Sequence, residues 1–314
     1  MPKVILDMDV GVDDSLAILL ALRSPELEIL GITAVAGNAP LENTANNVLR
    51  VLEAAGRTEI PVARGAAKPL IREPEAALHV HGNDGLGGAP VPQPTQMTFD
   101  ERPAVQFISD IVMAHEPGEI TLIPTGPMTN VAHLMREALD AFARLSSVVL
   151  MGGAFALTPY GHGNVTTVSE FNIWADPEAA AELVQADIPI TAVGLDVTTD
   201  PSGSINPERH ESLRNSADPY ARVAGMISAQ VLERFGVVNI HDAQAVALVI
   251  DPSLFQTETY PVEIITQDGS VRGQTIVDRR PGHRRGGGPE IAVATAVDGP
   301  RFLELLLGRL TQEA

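Results

Sequence analysis

The chain is 314 residues long, with 40 acidic against 21 basic residues, a formal net charge of −19 and no cysteine. That balance opposes binding to nucleic acid or an anionic membrane, which need clustered Lys and Arg, and the missing thiols remove disulfides, thiolate zinc sites and cysteine nucleophiles. No apolar run reaches the roughly 18 residues of a membrane span, and Met1-Pro2-Lys3 leads straight into a strand-like stretch rather than a signal peptide, so the expectation is a soluble, cytoplasmic protein.

In chain order, residues 4–6 read as a short buried strand and 15–22 as a helix, with Asp13, Asp14 and Ser15 placed to cap it and to meet its positive end. Next come an apolar run at 29–36, a helix at 41–55, a strand at 120–123, a helix after Thr129, a strand at 148–151, a helix at 177–186 and a strand at 190–193. Helical segments at 217–234 and 241–250, strands at 260–265, 274–278 and 290–297, and a helix at 301–310 follow. Short continuous apolar runs between amphipathic helices have no polar side, which predicts strands covered on both faces. The fold class is therefore α/β: an open, mostly parallel central sheet flanked by helices, Rossmann-like, with residues 1–314 as one domain and no internal repeat or linker. The Pro- and Gly-rich stretch at 73–94 reads as an ordered loop, and the basic, Gly-rich run at 279–288 as a solvated surface loop without a catalytic role.

Ligands of such sheets bind beyond the carboxyl ends of the strands. Those positions carry Asp7-Met8-Asp9-Val10-Gly11-Val12-Asp13-Asp14, then Gly37-Asn38, Thr125-Gly126 and Met151-Gly152-Gly153, while His241-Asp242 open a late helix. Several carboxylates on one turn repel one another, which points to raised pKa values or to a compensating cation. An all-oxygen donor set is hard and suits calcium or magnesium. Helix capping, a phosphatase nucleophile and a cation site all remain compatible with the turn by itself.

The turn resembles the aspartate-rich signature of nucleoside hydrolases. Further matches run in order along nearly the whole chain: Gly37-Asn38, His81-Gly82-Asn83-Asp84-Gly85, Thr125-Gly126-Pro127-Met128-Thr129-Asn130, Met151-Gly152-Gly153, Asn164 with Glu170-Phe171-Asn172, and His241-Asp242. The resemblance implies the nucleoside hydrolase fold and calcium-dependent hydrolysis of ribonucleosides to ribose and free base. It implies that Asp9, Asp14, Asp242 and the Thr125 carbonyl hold Ca2+, and that Asp13 is the general base. Asn38, Asn164, Glu170 and Asn172 would bind ribose hydroxyls, with Met151 lining the pocket. His241 is the expected donor to the departing base, with His81 as a second candidate at the substrate. A homotetramer or dimer is implied too.

Val10 and Ala243 depart from the family pattern at backbone-stiffening positions, and the single Trp supplies no stacking pair for a purine. Two other readings compete. A haloacid dehalogenase type phosphatase would use Asp7 and Asp9, but it needs a phosphate-binding Lys, and Lys68 sits in no motif. A ribose-binding protein without turnover is the other, and the filled catalytic positions oppose it.

Overall fold

The computed structural model describes residues 1–280 and 288–312. The strands are β1 (Lys3–Met8), β2 (Glu28–Ala34), β3 (Val62–Arg64), β4 (Ile120–Pro124), β5 (Ser147–Met151), β6 (Ile190–Val193), β7 (Phe255–Ile264), β8 (Thr275–Val277) and β9 (Glu290–Val297). They form one sheet in the order β3-β2-β1-β4-β5-β6-β9-β7-β8. Pairing is parallel from β3 through to β9 and antiparallel for β7 against both β9 and β8.

Side-chain alternation along β1 separates two cores, since successive residues of a strand point to opposite faces. Val4, Leu6 and Met8 pack with the helices Val12–Leu22, Leu41–Ala54, Pro219–Phe235, Asp242–Ile250 and Gly299–Leu310. Ile5 belongs to the opposite core, with the helices Ala104–Met113, Thr129–Glu137 and Pro177–Leu183. Burial on both sides is why β1 is continuously apolar from Val4 to Leu6.

From β1 the chain winds outward through β2 to β3, then returns to place β4 on the other side of β1 and winds the opposite way through β5 and β6. The loops leaving β1 and β4 therefore part at the carboxyl ends, opening a crevice at the switch point. The acidic turn follows β1 and Thr125 follows β4, so both fall at that crevice.

Expected and observed strands agree closely in the parallel half, with β6 and β9 at their expected bounds, whereas the helix Ala104–Met113 before β4 and the short helix Leu78–His81 inside the expected loop at 73–94 are not among the expected elements. The first helix starts at Val12 rather than at residue 15, because extended Gly11 donates its N–H to Asp14 Oδ2 at 2.9 Å and the acidic pair lies inside the first turn. Strand β7 begins at Phe255 rather than residue 260, paired with β9 from there, and the exposed Gln256 to Thr259 carry no apolar period that would mark it in the sequence. Three-residue β3 is too short to show a pattern, and the helix Pro207–Asn215 buries only His210 and Leu213. In the basic run, residues 281–287 lie outside the described residues, and Arg280 pairs with Asp278 at 2.7 Å. No helix among the described residues is long and apolar enough to cross a membrane.

Candidate active site

At the switch point, Asp13, Asp14 and Asp242 each present an oxygen within 4.8 Å of the others. Asp9 lies beneath them, fully buried, with Oδ2 accepting the Asn38 N–H at 2.7 Å. Asp9 is enclosed by close backbone approach. A Cβ on Gly37 would sit 2.1 Å from its Oδ2, and one on Gly126 would sit 2.8 Å from its Oδ1, so the two glycines following β2 and β4 are the room the carboxylate occupies.

Burial, then Asp13, pushes the Asp14 carboxyl up to about 7. Burial and the neighbouring Asp14 raise Asp9 well above the usual carboxylate range, and burial with Asp13, Asp14 and Asp9 does the same for Asp242. Asp9 Oδ1 and Asp13 Oδ1 are buried without a hydrogen-bond partner. A buried unsatisfied acceptor costs about 1–3 kcal/mol, so two in one cluster mark a site shaped for a ligand rather than for stability. Among the described residues no Lys or Arg lines the cavity to compensate them. Hard oxygens, mutual repulsion and orphaned acceptors fit a hard divalent cation.

Asp7, by contrast, lies on the other face of β1. It is fully buried, and its Oδ1 accepts from Thr33 Oγ1 at 2.6 Å and Asn130 Nδ2 at 2.7 Å, while burial raises it to about 6. It ties β1 to β2 and to the helix Thr129–Glu137, out of reach of any phosphoryl group. Lys68 is exposed and does not line the cavity.

Above the carboxylates opens a cavity of about 310 Å³, and it gathers the residues the motifs single out: Asp13, Asn38, His81, Thr125, Met151, Asn164, Glu170, Asn172, His241 and Asp242. Several arrive with one edge already committed. Asn172 Nδ2 donates to the Thr125 carbonyl at 2.7 Å and to the Met151 carbonyl at 3.2 Å, which leaves its Oδ1 as an acceptor for the cavity. Asn38 Nδ2 donates to Asp14 Oδ2 at 3.1 Å and to the Asp9 carbonyl at 3.2 Å. Glu170 caps the helix Phe171–Ala175, its carboxylate accepting from the N–H groups of Asn172, Ile173 and Gly153. Burial raises its pKa even against those bonds. Thr125 Oγ1 donates to Asp14 Oδ1 at 3.0 Å.

Among the histidines lining this cavity, burial lowers the pKa of His81 and of His241. His81 Nδ1 accepts the Val12 N–H at 3.2 Å, so the neutral ring carries its proton on Nε2. His241 Nδ1 lies 2.8 Å from Thr198 Oγ1.

The sequence profile of the inosine-uridine preferring nucleoside hydrolases matches residues 4–304. The chain belongs to this family. It is 40% identical to an inosine-uridine preferring nucleoside hydrolase of Crithidia fasciculata, over 99% of this chain and 98% of that one. It is 39% identical to the pyrimidine-specific ribonucleoside hydrolase RihA of Escherichia coli, over 98% and 97%. The solved structure of a purine-preferring ribonucleoside hydrolase from Gardnerella vaginalis matches with a TM-score of 0.88 at 32% identity, covering 98% of both chains. Membership makes this protein a glycosidase-type hydrolase acting on ribonucleosides, and the sheet and its flanking helices are those of the nucleoside hydrolase fold.

In this nucleoside hydrolase the far side of the cavity comes from segments without a motif. Val231 and Phe235 end the helix Pro219–Phe235, and Val237, Val238 and Asn239 follow it. Left-handed Gly236 stops that helix, and Val238 then bridges to Ile205, which turns the chain back toward His241. Gly236 followed by two valines just before His241 was the available signal. His79 and Phe171 also line the cavity, His162 lines a separate pocket, and Trp174 lies under the Arg272 guanidinium at 4.0 Å. Val10 is buried in the core with its carbonyl accepting from Asn47 Nδ2 at 3.1 Å, and Ala243 is buried as well.

Proposed function

We propose that this nucleoside hydrolase is calcium-dependent and cleaves the N-glycosidic bond of ribonucleosides to ribose and free base. The observation that carries the reading is four converging carboxylates, two with orphaned oxygens, under a cavity whose other polar lining is amide, carboxylate and imidazole. Asp9, Asp14, Asp242 and the Thr125 carbonyl would hold the ion. When bound, calcium would make a nearby water more acidic and anchor the vicinal ribose hydroxyls.

The chain's own groups do the rest. Asn38, Asn164, Glu170 and Asn172 bind ribose hydroxyls, each of which offers a donor and acceptors. As water attacks C1′, the C1′–N electron pair leaves with the base and the water proton passes to Asp13. Positive charge that builds on the ribosyl ring in the transition state meets an anionic floor, which is where such charge gains most. His241 directs a hydrogen toward the departing base, and His81 stands as the second donor.

Asp9 Oδ1 is the other orphaned acceptor of the cluster, which supports a second reading with Asp9 as the base. Asp13→Asn and Asp9→Asn, each assayed for bound calcium and for kcat, separate the two. The base variant loses on the order of 10³-fold in kcat while keeping the ion, and the ligand variant loses the ion first.

The wider test is release of reducing sugar from inosine, uridine, cytidine and adenosine. Calcium binding without cleavage of any ribonucleoside would sink the proposal. The three relatives named above differ in base preference, so the panel also decides which bases this protein accepts. The cytoplasmic location and the homotetramer or dimer belong to the same proposal, and light scattering on the purified protein measures the latter.

A further inference from the structure

Thr198 is buried to 1% exposure at the end of the short helix Leu195–Thr198, which follows β6. Its hydroxyl lies 2.8 Å from His241 Nδ1, and among the described residues Thr198 Oγ1 has no other hydrogen-bond partner. His241 itself lines the cavity, one residue from Asp242.

We infer that Thr198 is a positioning residue that fixes His241 with Nε2–H turned toward the departing base, which deepens the proposed role of His241 and rests on it. With Nδ1 as the hydroxyl's only acceptor, the hydroxyl hydrogen lies on Nδ1 and the ring hydrogen stays on Nε2. A hydroxyl also accepts from Nδ1–H, so the same contact holds the ring should it carry a second proton. A carboxylate in place of this hydroxyl would have added another acidic group beside Asp242. The base carries off the electron pair of the C1′–N bond, and a hydrogen bond from Nε2–H stabilises that pair as it localises. Thr198 does not line the cavity, so its effect should depend on the leaving group alone.

A pair of substrates isolates that dependence. Ribonucleosides release a base that needs a donor, whereas 4-nitrophenyl β-D-ribofuranoside releases a stable anion that needs none. For Thr198→Val, kcat on a ribonucleoside should fall about tenfold or more with KM unchanged, while the 4-nitrophenyl reaction stays within about twofold. Thr198→Ser should restore the nucleoside rate. Equal losses on both substrates, or no loss on the nucleoside, would overturn the inference. Thr198→Ala gives the same comparison should Thr198→Val fail to fold. His241→Ala is the control for the underlying reading. If it shows no nucleoside-selective loss, the donor role of His241 falls, and if it does while Thr198→Val does not, only the Thr198 inference falls.

Discussion

At the floor of the cavity, Asp9, Asp14 and Asp242 are buried to 3% exposure or less, and Asn38, Thr125 and the Gly11 N–H hold Asp9 and Asp14 in place. At its mouth, Val165 and Phe235 are 39% and 51% exposed, and apolar carbon rather than hydrogen bonding makes the wall. The floor works by charge and by donors and acceptors held in fixed geometry, so one atom changed there breaks it. The mouth works by area and shape, which many apolar side chains satisfy. Under the proposed function, the ribosidic chemistry belongs to the first region and the choice of base to the second.

The largest effect expected from this contrast is discrimination at the sugar. A site built around a hydroxyl rejects its absence by factors on the order of 10⁴, so 2′-deoxyribonucleosides should be cleaved that much more slowly in kcat/KM. Comparable rates would show that the floor does not read the 2′-hydroxyl.

Next comes the proton linkage of the floor. With Asp14 at about 7 and Asp9 and Asp242 also raised, protons occupy the cluster below neutral pH and compete with the cation. Calcium affinity should therefore weaken by about tenfold or more per pH unit below 7 and be flat well above it, with protons released on binding. Titration calorimetry in buffers of different ionisation enthalpy measures both, and pH-independent affinity would remove the raised carboxyls from the ion site.

Gly37→Ala should place a methyl 2.1 Å from Asp9 Oδ2. Overpacking of this kind costs about 1–3 kcal/mol, and here it should appear as weaker calcium binding as well as a lower Tm. Retained calcium affinity would mean that the site yields where it is drawn as rigid. Smallest of all, Phe235→Ala at the mouth should change KM by about tenfold or less, unequally among bases, with kcat nearly unchanged. A large loss of kcat there would erase the distinction between the two regions.

Much of the floor was legible in the sequence because its chemistry admits few residue types. Carboxylates at Asp9, Asp13, Asp14 and Asp242 and amides at Asn38, Asn164 and Asn172 cannot be exchanged for look-alikes, and they follow strands recognisable by continuous apolar runs. The mouth was not legible: Val231, Phe235 and Val237 look like any helix end and its exit, since a hydrophobic wall asks only for size and polarity. Thr198 was silent for a related reason, as a hydroxyl in a Val-Thr-Thr stretch reads as ordinary until a ring nitrogen is found beside it.

The sequence alone determined the alternating α/β plan, the acidic turn and the absence of any thiol chemistry, because period, charge and composition are local properties. Tertiary structure alone decided which groups surround Asp7 and Asp9. Asp7 is the last but one residue of β1 and points toward Thr33 and Asn130, while the chain leaves β1 after Met8, before alternation would return Asp9 to that same face, and carries Asp9 to Asp14 and Asp242. Which side of a sheet a carboxylate faces, and which remote loops meet it there, follows from the winding of strands in space rather than from neighbours in the chain.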